Sequence, residues 1–225
     1  MKKAIVYIDG YNLYFGLLKG TPWKWLDLWN FAETLVAGRF ELVEVLYFTA
    51  PIKTHPVDLA ATERQNAYVQ ALATLSGVKV VQGFYSKAKM RVPPVDEKCT
   101  ACDVVSDGLV QVYKMEEKRS DVNLAVAAVV DAADNRADCF VFVTGDSDQV
   151  GTIETIRGKY GKTVAVFNPH ESGGKHLQRV ASYYKNIPRD LPAKCQLPEA
   201  TSSAGRRCGD SISGAYICSG QMYMA

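Results

Sequence analysis

Short apolar runs and longer segments of helical periodicity alternate along the chain. Five runs rich in aliphatic and β-branched residues end at turn-forming residues, a pattern typical of buried strands in a parallel sheet. They cover residues 4–8, 42–49, 78–85, 140–144 and 163–167. Apolar residues at spacings of three and four predict helices between these strands, over residues 27–36, 62–75, 121–130 and 150–156.

The order of strands and helices indicates the fold class. A β-α-β-α-β-α-β-α-β order implies right-handed crossovers, which place helices on both faces of a mostly parallel sheet. We therefore expect a three-layer α/β/α fold over residues 1–188, with ligands bound beyond the carboxyl ends of the strands. Residues 86–115 lack periodicity and are interpreted as an insertion, and residues 189–225 as a weakly ordered C-terminal tail.

Composition and charge narrow the function classes. The 225 residues are 48% hydrophobic, which is enough for one sizeable core, and the formal net charge is only +2. A protein that coats nucleic acid carries a broad basic field, so any nucleic-acid contact here should be local. The absence of a long apolar run or a signal-peptide pattern predicts a cytoplasmic protein with no membrane partner. The six irregularly spaced cysteines are expected to be reduced thiols.

Carboxylates follow two of the predicted strands. Asp9 follows the first strand, and Asp146 and Asp148 follow the fourth, so a parallel sheet brings them to one edge. Asp121, at the start of a predicted helix, reaches that edge only if the preceding segment folds across it. Clustered carboxylates must take up protons or share a cation, and Mg²⁺ or Mn²⁺ prefers such oxygen ligands. The cluster predicts metal-assisted phosphodiester hydrolysis, although turn formation or helix capping is the alternative for any single aspartate.

Three motifs follow one another along the chain: YIDGYNL at residues 7–13, EKRSDVNLA at residues 117–125 and VTGDSD at residues 143–148. In content and order they resemble the motifs of NYN domains, which belong to the PIN-like nuclease group. The resemblance covers roughly residues 3–187. It implies a PIN-like, Rossmann-like fold and a metal-dependent ribonuclease, and single-stranded RNA is the expected substrate.

The resemblance also implies roles for individual residues. It assigns a Mg²⁺ or Mn²⁺ ion to four carboxylates, those of Asp9, Asp121, Asp146 and Asp148. Asn12 would lie beside them as part of the catalytic set and orient a water or a phosphate. Ser147 and Thr144 would support the acidic turn through hydrogen bonds, and Ser147 would also contact the substrate.

Basic and aromatic residues next to these motifs are candidate contacts to RNA. Lys118 and Arg119 immediately precede Asp121 and are the expected ligands of the scissile phosphate. Tyr11 could stack on an unpaired base, as could Tyr14 and Phe15. Packing against the sheet is the favoured alternative for Phe15.

Two further possibilities stay open at this point. Cys99 and Cys102 form a CxxC pair within the predicted insertion, but a structural zinc ion needs four ligands, so we do not expect zinc there. The alternative function is a catalytically weak PIN-like module that binds RNA or a protein partner, because a fold does not fix an activity. Assembly of several copies is compatible with either function. A phosphatase of the haloacid-dehalogenase type is disfavoured because Tyr11 occupies the position of its second aspartate.

Overall fold

The computed structural model describes residues 1–52, 60–93 and 109–198. Its strands are β1 Lys3–Asp9, β2 Glu41–Thr49, β3 Val78–Gln82, β4 Phe84–Val92, β5 Val110–Lys118, β6 Cys139–Val143, β7 Thr163–Asn168 and β8 Tyr183–Asn186. Its helices are α1 Gly10–Leu13, α2 Leu28–Val36, α3 Ala61–Leu72, α4 Ser120–Ala133, α5 Val150–Tyr160, α6 Lys175–Val180 and α7 Leu191–Lys194. A π-helical turn, Tyr14–Leu18, follows α1, and a 3₁₀ turn, Ser147–Gln149, precedes α5.

Six parallel strands form the central sheet in the order β3-β2-β1-β6-β7-β8. Strand β1 lies inside this sheet, and its apolar residues are fully buried because both faces of the sheet are covered. Val6 and Ile8 belong to the core on one face, and Ile5 and Tyr7 to the core on the other. This arrangement confirms the predicted three-layer α/β/α fold with a mostly parallel sheet.

The helices divide between the two faces of the sheet. Phe31 of α2 packs in the same core as residues of α1 and α3, whereas Leu124 of α4 and Ile153 of α5 pack in the opposite core. The start of α2 is fixed by Asp27, whose carboxylate accepts a hydrogen bond of 3.0 Å from the backbone N–H of Asn30. Since the helices cover the faces, the loops at the carboxyl edge of the sheet are left to form a site.

The third predicted strand, residues 78–85, is divided at Gly83. Strand β3 ends before this glycine, and β4 begins after it as one arm of an antiparallel hairpin with β5, outside the main sheet. A Cβ atom at Gly83 would lie 2.5 Å from the backbone oxygen of Lys118, so only glycine permits the close return of the chain. Parts of the predicted aperiodic insertion are therefore regular strands. Cys99 and Cys102 lie outside the described residues.

The C-terminal part of the described chain also differs from the prediction. Strand β8 extends the sheet at one edge, although no strand was predicted there. Residues 189–198 were assigned to a weakly ordered tail, yet Leu191 and Cys195 are buried, and the backbone N–H of Asp27 donates to the Cys195 carbonyl at 2.8 Å. The rest of the predicted tail, residues 199–225, lies outside the described residues.

Two further expectations concern the thiols and the membrane. Cys139 and Cys195 are free, buried thiols, and the other four cysteines fall outside the described ranges. Over residues 1–52, 60–93 and 109–198, every helix is too short or too polar to cross a bilayer.

Candidate metal centre

Three carboxylates from three separate elements converge at the carboxyl edge of the sheet. Asp9 is the last residue of β1, Asp146 follows β6, and Asp121 is the second residue of α4. One oxygen of each lies within 4.8 Å of the others. Strands β1 and β6 are direct parallel neighbours, with Ile8 paired to Val143, which explains why Asp9 and Asp146 meet.

Asp121 reaches the same edge by a different route. The β4–β5 hairpin returns the chain to the sheet, and Arg119 then turns it into α4 with a left-handed φ of 77°. The side-chain amide of Gln149 donates to the backbone oxygen of Asp121 at 3.4 Å, which ties the helix start to the turn that carries Asp146. The end of β5 thus returns to the end of β3, with the Lys118 oxygen beside Gly83, and Asp121 follows three residues later.

Hydrogen bonds hold the buried carboxylate of Asp9 in place. The Asn12 backbone N–H donates to Oδ1 at 3.0 Å, and the Asn12 Nδ2 and the Thr144 hydroxyl donate to Oδ2 at 2.6 and 3.0 Å. Asp146 has a comparable local role, since its Oδ1 accepts from the backbone N–H of Asp148 at 3.0 Å. Both aspartates thus act as caps, as the alternative interpretation proposed. Capping alone does not bring their carboxylates together with that of Asp121.

The cluster carries unfavourable negative charge. Burial raises the pKa of Asp9, and the charge of Asp146 raises it further, against the hydrogen bonds from Asn12 and Thr144. Asp121 is exposed at the rim of the cluster, and its pKa is raised to about 6 by partial desolvation of its carboxyl group and by the charges of Asp9, Asp146 and Asp148. A shared cation would relieve this repulsion.

The donor set fits a small, hard divalent cation. All three ligands offer carboxylate oxygens, which Mg²⁺ and Mn²⁺ prefer over softer metals. Oxygens held at about 2.1 Å from an octahedral Mg²⁺ lie about 3.0 Å apart in adjacent positions and about 4.2 Å apart in opposite ones, so carboxylate oxygens that lie within 4.8 Å of one another would have to draw closer on binding. Asp9, Asp121 and Asp146 are therefore compatible with metal binding.

The remaining predicted catalytic residues lie around this trio. Asp148 is exposed and its carboxylate is not among the three converging groups, although its charge contributes to the raised pKa of Asp121. Ser147 is exposed in the 3₁₀ turn between Asp146 and Asp148. Asn12 contacts Asp9 directly.

The residues predicted to contact RNA differ in their exposure to solvent. Lys118 and Arg119 are exposed at the end of the hairpin, and the Arg119 guanidinium lies 4.8 Å from the centroid of the Phe84 ring. Tyr11 is half-buried, and its hydroxyl donates to the Ala50 carbonyl at 3.3 Å. Lys118 and Arg119 precede a residue of the trio, and Tyr11 lies between Asp9 and Asn12.

His170 was not among the site residues predicted from the sequence. Its Nε2 lies 3.1 Å from Asn12 Oδ1, which also accepts a hydrogen bond of 3.1 Å from the backbone N–H of Gly145. Because Asn12 Nδ2 donates to Asp9, its Oδ1 must be the acceptor, and His170 Nε2 therefore carries the proton. The usable signal was positional: His170 follows strand β7, whose carboxyl end lies on the same edge as that of β6.

The fold and the site define an α/β domain with an acidic, metal-compatible centre at the carboxyl edge of a parallel sheet. Comparison with known families then shows that the chain belongs to the NYN domain family, whose model matches residues 3–188. NYN domains are typically nucleases.

The individual proteins that are similar to this chain include an enzyme and a protein of known structure. One is the 6-hydroxy-3-succinoylpyridine 3-monooxygenase HspA of Pseudomonas putida, which is 32% identical to this chain in a match that covers 86% of this chain and 69% of the relative. The other is the crystal structure of a Vibrio parahaemolyticus protein of unknown function, with a TM-score of 0.51, 20% identity and coverage of 84% of this chain and 94% of that one. The second likeness supports the fold alone.

The raised pKa of Asp121 predicts pH-dependent metal binding. We expect Mn²⁺ affinity to increase as the pH rises through about 6, because Asp121 is protonated below that value and a ligand must release its proton. Isothermal titration calorimetry at several pH values, in buffers of different ionisation enthalpy, measures both the affinity and the protons released. An affinity that does not change between about pH 5 and pH 7 would remove Asp121 from the ligand set.

Proposed function

We propose that the protein is a divalent-metal-dependent endoribonuclease that hydrolyses phosphodiester bonds in single-stranded RNA. The observation that carries this proposal is the convergence of Asp9, Asp121 and Asp146 to within 4.8 Å at the edge of the sheet where ligands bind in such folds. Membership of a family of typical nucleases supports the same reaction class.

Asp9, Asp121 and Asp146 would hold the Mg²⁺ or Mn²⁺ ion, with Asp148 as a further carboxylate beside them. The bound cation would supply charge neutralisation for the phosphate and a lowered pKa for a water molecule. Asn12 fixes the orientation of the Asp9 carboxylate through two hydrogen bonds, and His170 and Gly145 in turn fix Asn12. This support limits the rearrangement needed when the metal and the substrate bind.

Positive charge for the substrate comes from the end of the hairpin. Lys118 and Arg119 are exposed and directly precede Ser120 and Asp121, so they can approach a phosphate held at the carboxylates. With a formal net charge of only +2 for the chain, such local contacts are the means of holding a polyanion. Ser147, exposed in the acidic turn, would donate a hydrogen bond to the bound RNA.

Cleavage of labelled single-stranded RNA in the presence of Mn²⁺, Mg²⁺ or EDTA tests the proposal. We expect metal-dependent cutting by the wild-type protein and a loss of at least about a hundredfold in the Asp9→Asn/Asp146→Asn variant. The matched control is Asp134→Asn/Glu154→Gln, which removes two exposed carboxylates elsewhere on the surface. Equal cutting by the wild type and the first variant would indicate a contaminant, and binding without cutting by any of them would favour the alternative, an RNA-binding module.

A second candidate function follows from the name of the Pseudomonas putida relative, which shares 32% identity with this chain. A monooxygenase adds one atom of O₂ to its substrate and requires a reductant. Incubation of the purified protein with 6-hydroxy-3-succinoylpyridine, NADH and oxygen, followed by mass spectrometry, tests this possibility. A pyridine product that carries an oxygen atom from isotopically labelled O₂, together with intact RNA in the cleavage assay, would replace the nuclease proposal.

A further inference from the structure

Three aromatic rings and one ammonium group cluster directly after the first acidic motif, and all of them except the half-buried Tyr11 are exposed. We call it the aromatic platform, and it consists of Tyr11, Tyr14, Phe15 and Lys19. The ring centroids of Tyr11 and Phe15 are 6.2 Å apart with planes inclined by 30°, and those of Tyr14 and Phe15 are 5.2 Å apart and nearly perpendicular. Lys19 Nζ lies 4.9 Å from the centroid of Phe15.

The platform is more exposed than the sequence analysis expected. Packing against the sheet was favoured for Phe15, but its side chain is 53% exposed, and that of Tyr14 is 39% exposed. The helical turn instead anchors itself through Leu13, Leu17 and Leu18, which are buried in the core. An apolar ring left this open gives up much of the stabilisation that burial would provide, so a role outside the core accounts for it better.

The backbone that carries the platform is held rigidly beside the carboxylates. Gly16 lies so close to His170 that a Cβ atom there would be 3.0 Å from its Nε2, and His170 contacts Asn12, the partner of Asp9. On the other side, Arg189 donates to the carbonyl of Gly16 at 2.6 Å. The residues from Tyr14 to Leu18 form a π-helical turn, a conformation that often occurs at functional sites.

We propose that the aromatic platform is a subsite for an unpaired nucleobase next to the bond that is cut, with Phe15 and Tyr14 as the stacking surface and Lys19 as a contact to an adjoining phosphate. This assignment rests on the proposed ribonuclease function. Proteins that hold single-stranded nucleic acid combine exposed aromatic rings with nearby cations, because every base presents a π-face and every linkage a charge. The platform offers both features beside the carboxylate trio, and base-paired RNA could not place a base there.

A double-mutant cycle of binding affinities, which combines a protein substitution with the removal of one base from the RNA, tests the subsite without relying on cleavage. Fluorescence anisotropy measures the affinity of a labelled six-nucleotide RNA for the Asp146→Asn protein, with and without Phe15→Ala, and for a series of RNAs that each lack one base. We expect Phe15→Ala to weaken binding of the intact RNA about tenfold, and removal of one particular base to weaken it equally. Combining the two changes should cause no further loss, since both remove the same stacking contact. Phe15→Trp should retain the affinity.

Tyr113→Ala is the matched control, because Tyr113 is 58% exposed and has Lys89 Nζ 5.9 Å from its ring centroid, but it lies on the hairpin. The subsite would be overturned if the affinity losses from Phe15→Ala and from base removal were additive at every RNA position. An equal loss of affinity in Tyr113→Ala, or an absence of RNA binding, would also overturn it. The wild-type cleavage assay is a separate readout. Non-additive effects of Phe15→Ala and base removal, without any cleavage, would retain the base subsite and reject the nuclease. Cleavage with additive effects at every position would retain the nuclease and reject the base subsite.

Discussion

Replacement of Asp121 by asparagine should abolish most of the proposed RNA cleavage and at the same time stabilise the metal-free protein at neutral pH. The loss of activity, at least about a hundredfold, is expected because the substitution removes one of the three proposed anionic ligands. The gain in stability follows from the desolvation and the charge repulsion that together raise the pKa of Asp121 to about 6. A substitution that improves folding while removing activity is typical of a charged functional site.

The pH dependence of the gain has a defined sign. A folded-state pKa above the unfolded value of about 3.9 means that protonated Asp121 is the favoured form in the folded protein. The corresponding stability is fully present below about pH 4 and is lost as the pH rises through about 6, where Asp121 becomes charged. Asparagine carries no charge at any pH, so the variant should avoid this loss.

Thermal unfolding in EDTA at pH 4.5 and pH 7.5 measures the effect. The Tm difference between Asp121→Asn and the wild type should be positive at the higher pH and much smaller at the lower one. Addition of Mn²⁺ should raise the Tm of the wild type more than that of the variant, because only the wild type keeps the full ligand set. Asp134→Asn, at the other end of α4, is the control for charge removal. A lower Tm for Asp121→Asn at pH 7.5 would contradict the repulsion.

The sequence was sufficient to predict where Asp9 and Asp146 would meet. Both follow buried strands, and neighbouring parallel strands deliver their last residues to one edge. The position of Asp121 could only be stated as a condition, because it depends on the return of the hairpin and on the left-handed turn at Arg119. Neither feature has a periodic sequence signal, since a positive φ at a residue other than glycine is uncommon.

The missed parts of the fold have comparable causes. The strand predicted over residues 78–85 continues as a β-type sequence through Gly83, and only the close contact with the Lys118 carbonyl shows that the chain leaves the sheet there. Strand β8 is four residues long and only partly buried, which gives too short a pattern to recognise. His170 contributes one polar side chain through a loop, and its contact with Asn12 depends on strand order.

Substitution of Arg136 by methionine should destabilise the protein without altering its chemistry. Arg136 NH1 donates to Asp131 Oδ1 at 2.6 Å and NH2 donates to Glu44 Oε2 at 2.8 Å, and both carboxylates are buried. Tyr7 donates its hydroxyl to Asp131 at 2.7 Å, and Lys79 lies 2.5 Å from Glu44. This network lies near the C-terminal end of α4, whereas Asp121 lies at its start.

We expect Arg136→Met to lower the free energy of unfolding by about 2–4 kcal/mol, because it leaves Asp131 and part of Glu44 buried without a cation. The value is below that of a fully buried pair, since the Arg136 side chain is 40% exposed. Urea unfolding at pH 7 measures the change, and Arg136→Lys should restore part of it. RNA cleavage per folded molecule should remain at the wild-type level, so a parallel loss of activity would contradict the separation of the two sites.

The pH dependence of this loss distinguishes a charge network from simple packing. Burial raises the pKa of Glu44, but hydrogen bonds and charge from Lys79 and Arg136 outweigh it, and the net pKa is lowered. A lowered folded-state pKa contributes stability above the unfolded value, and this stability is lost as the pH falls through the folded-state pKa. The difference between wild type and Arg136→Met should therefore shrink under acid conditions. A difference that stays constant from pH 7 down to about pH 3 would indicate that Arg136 acts through the packing of its aliphatic stem.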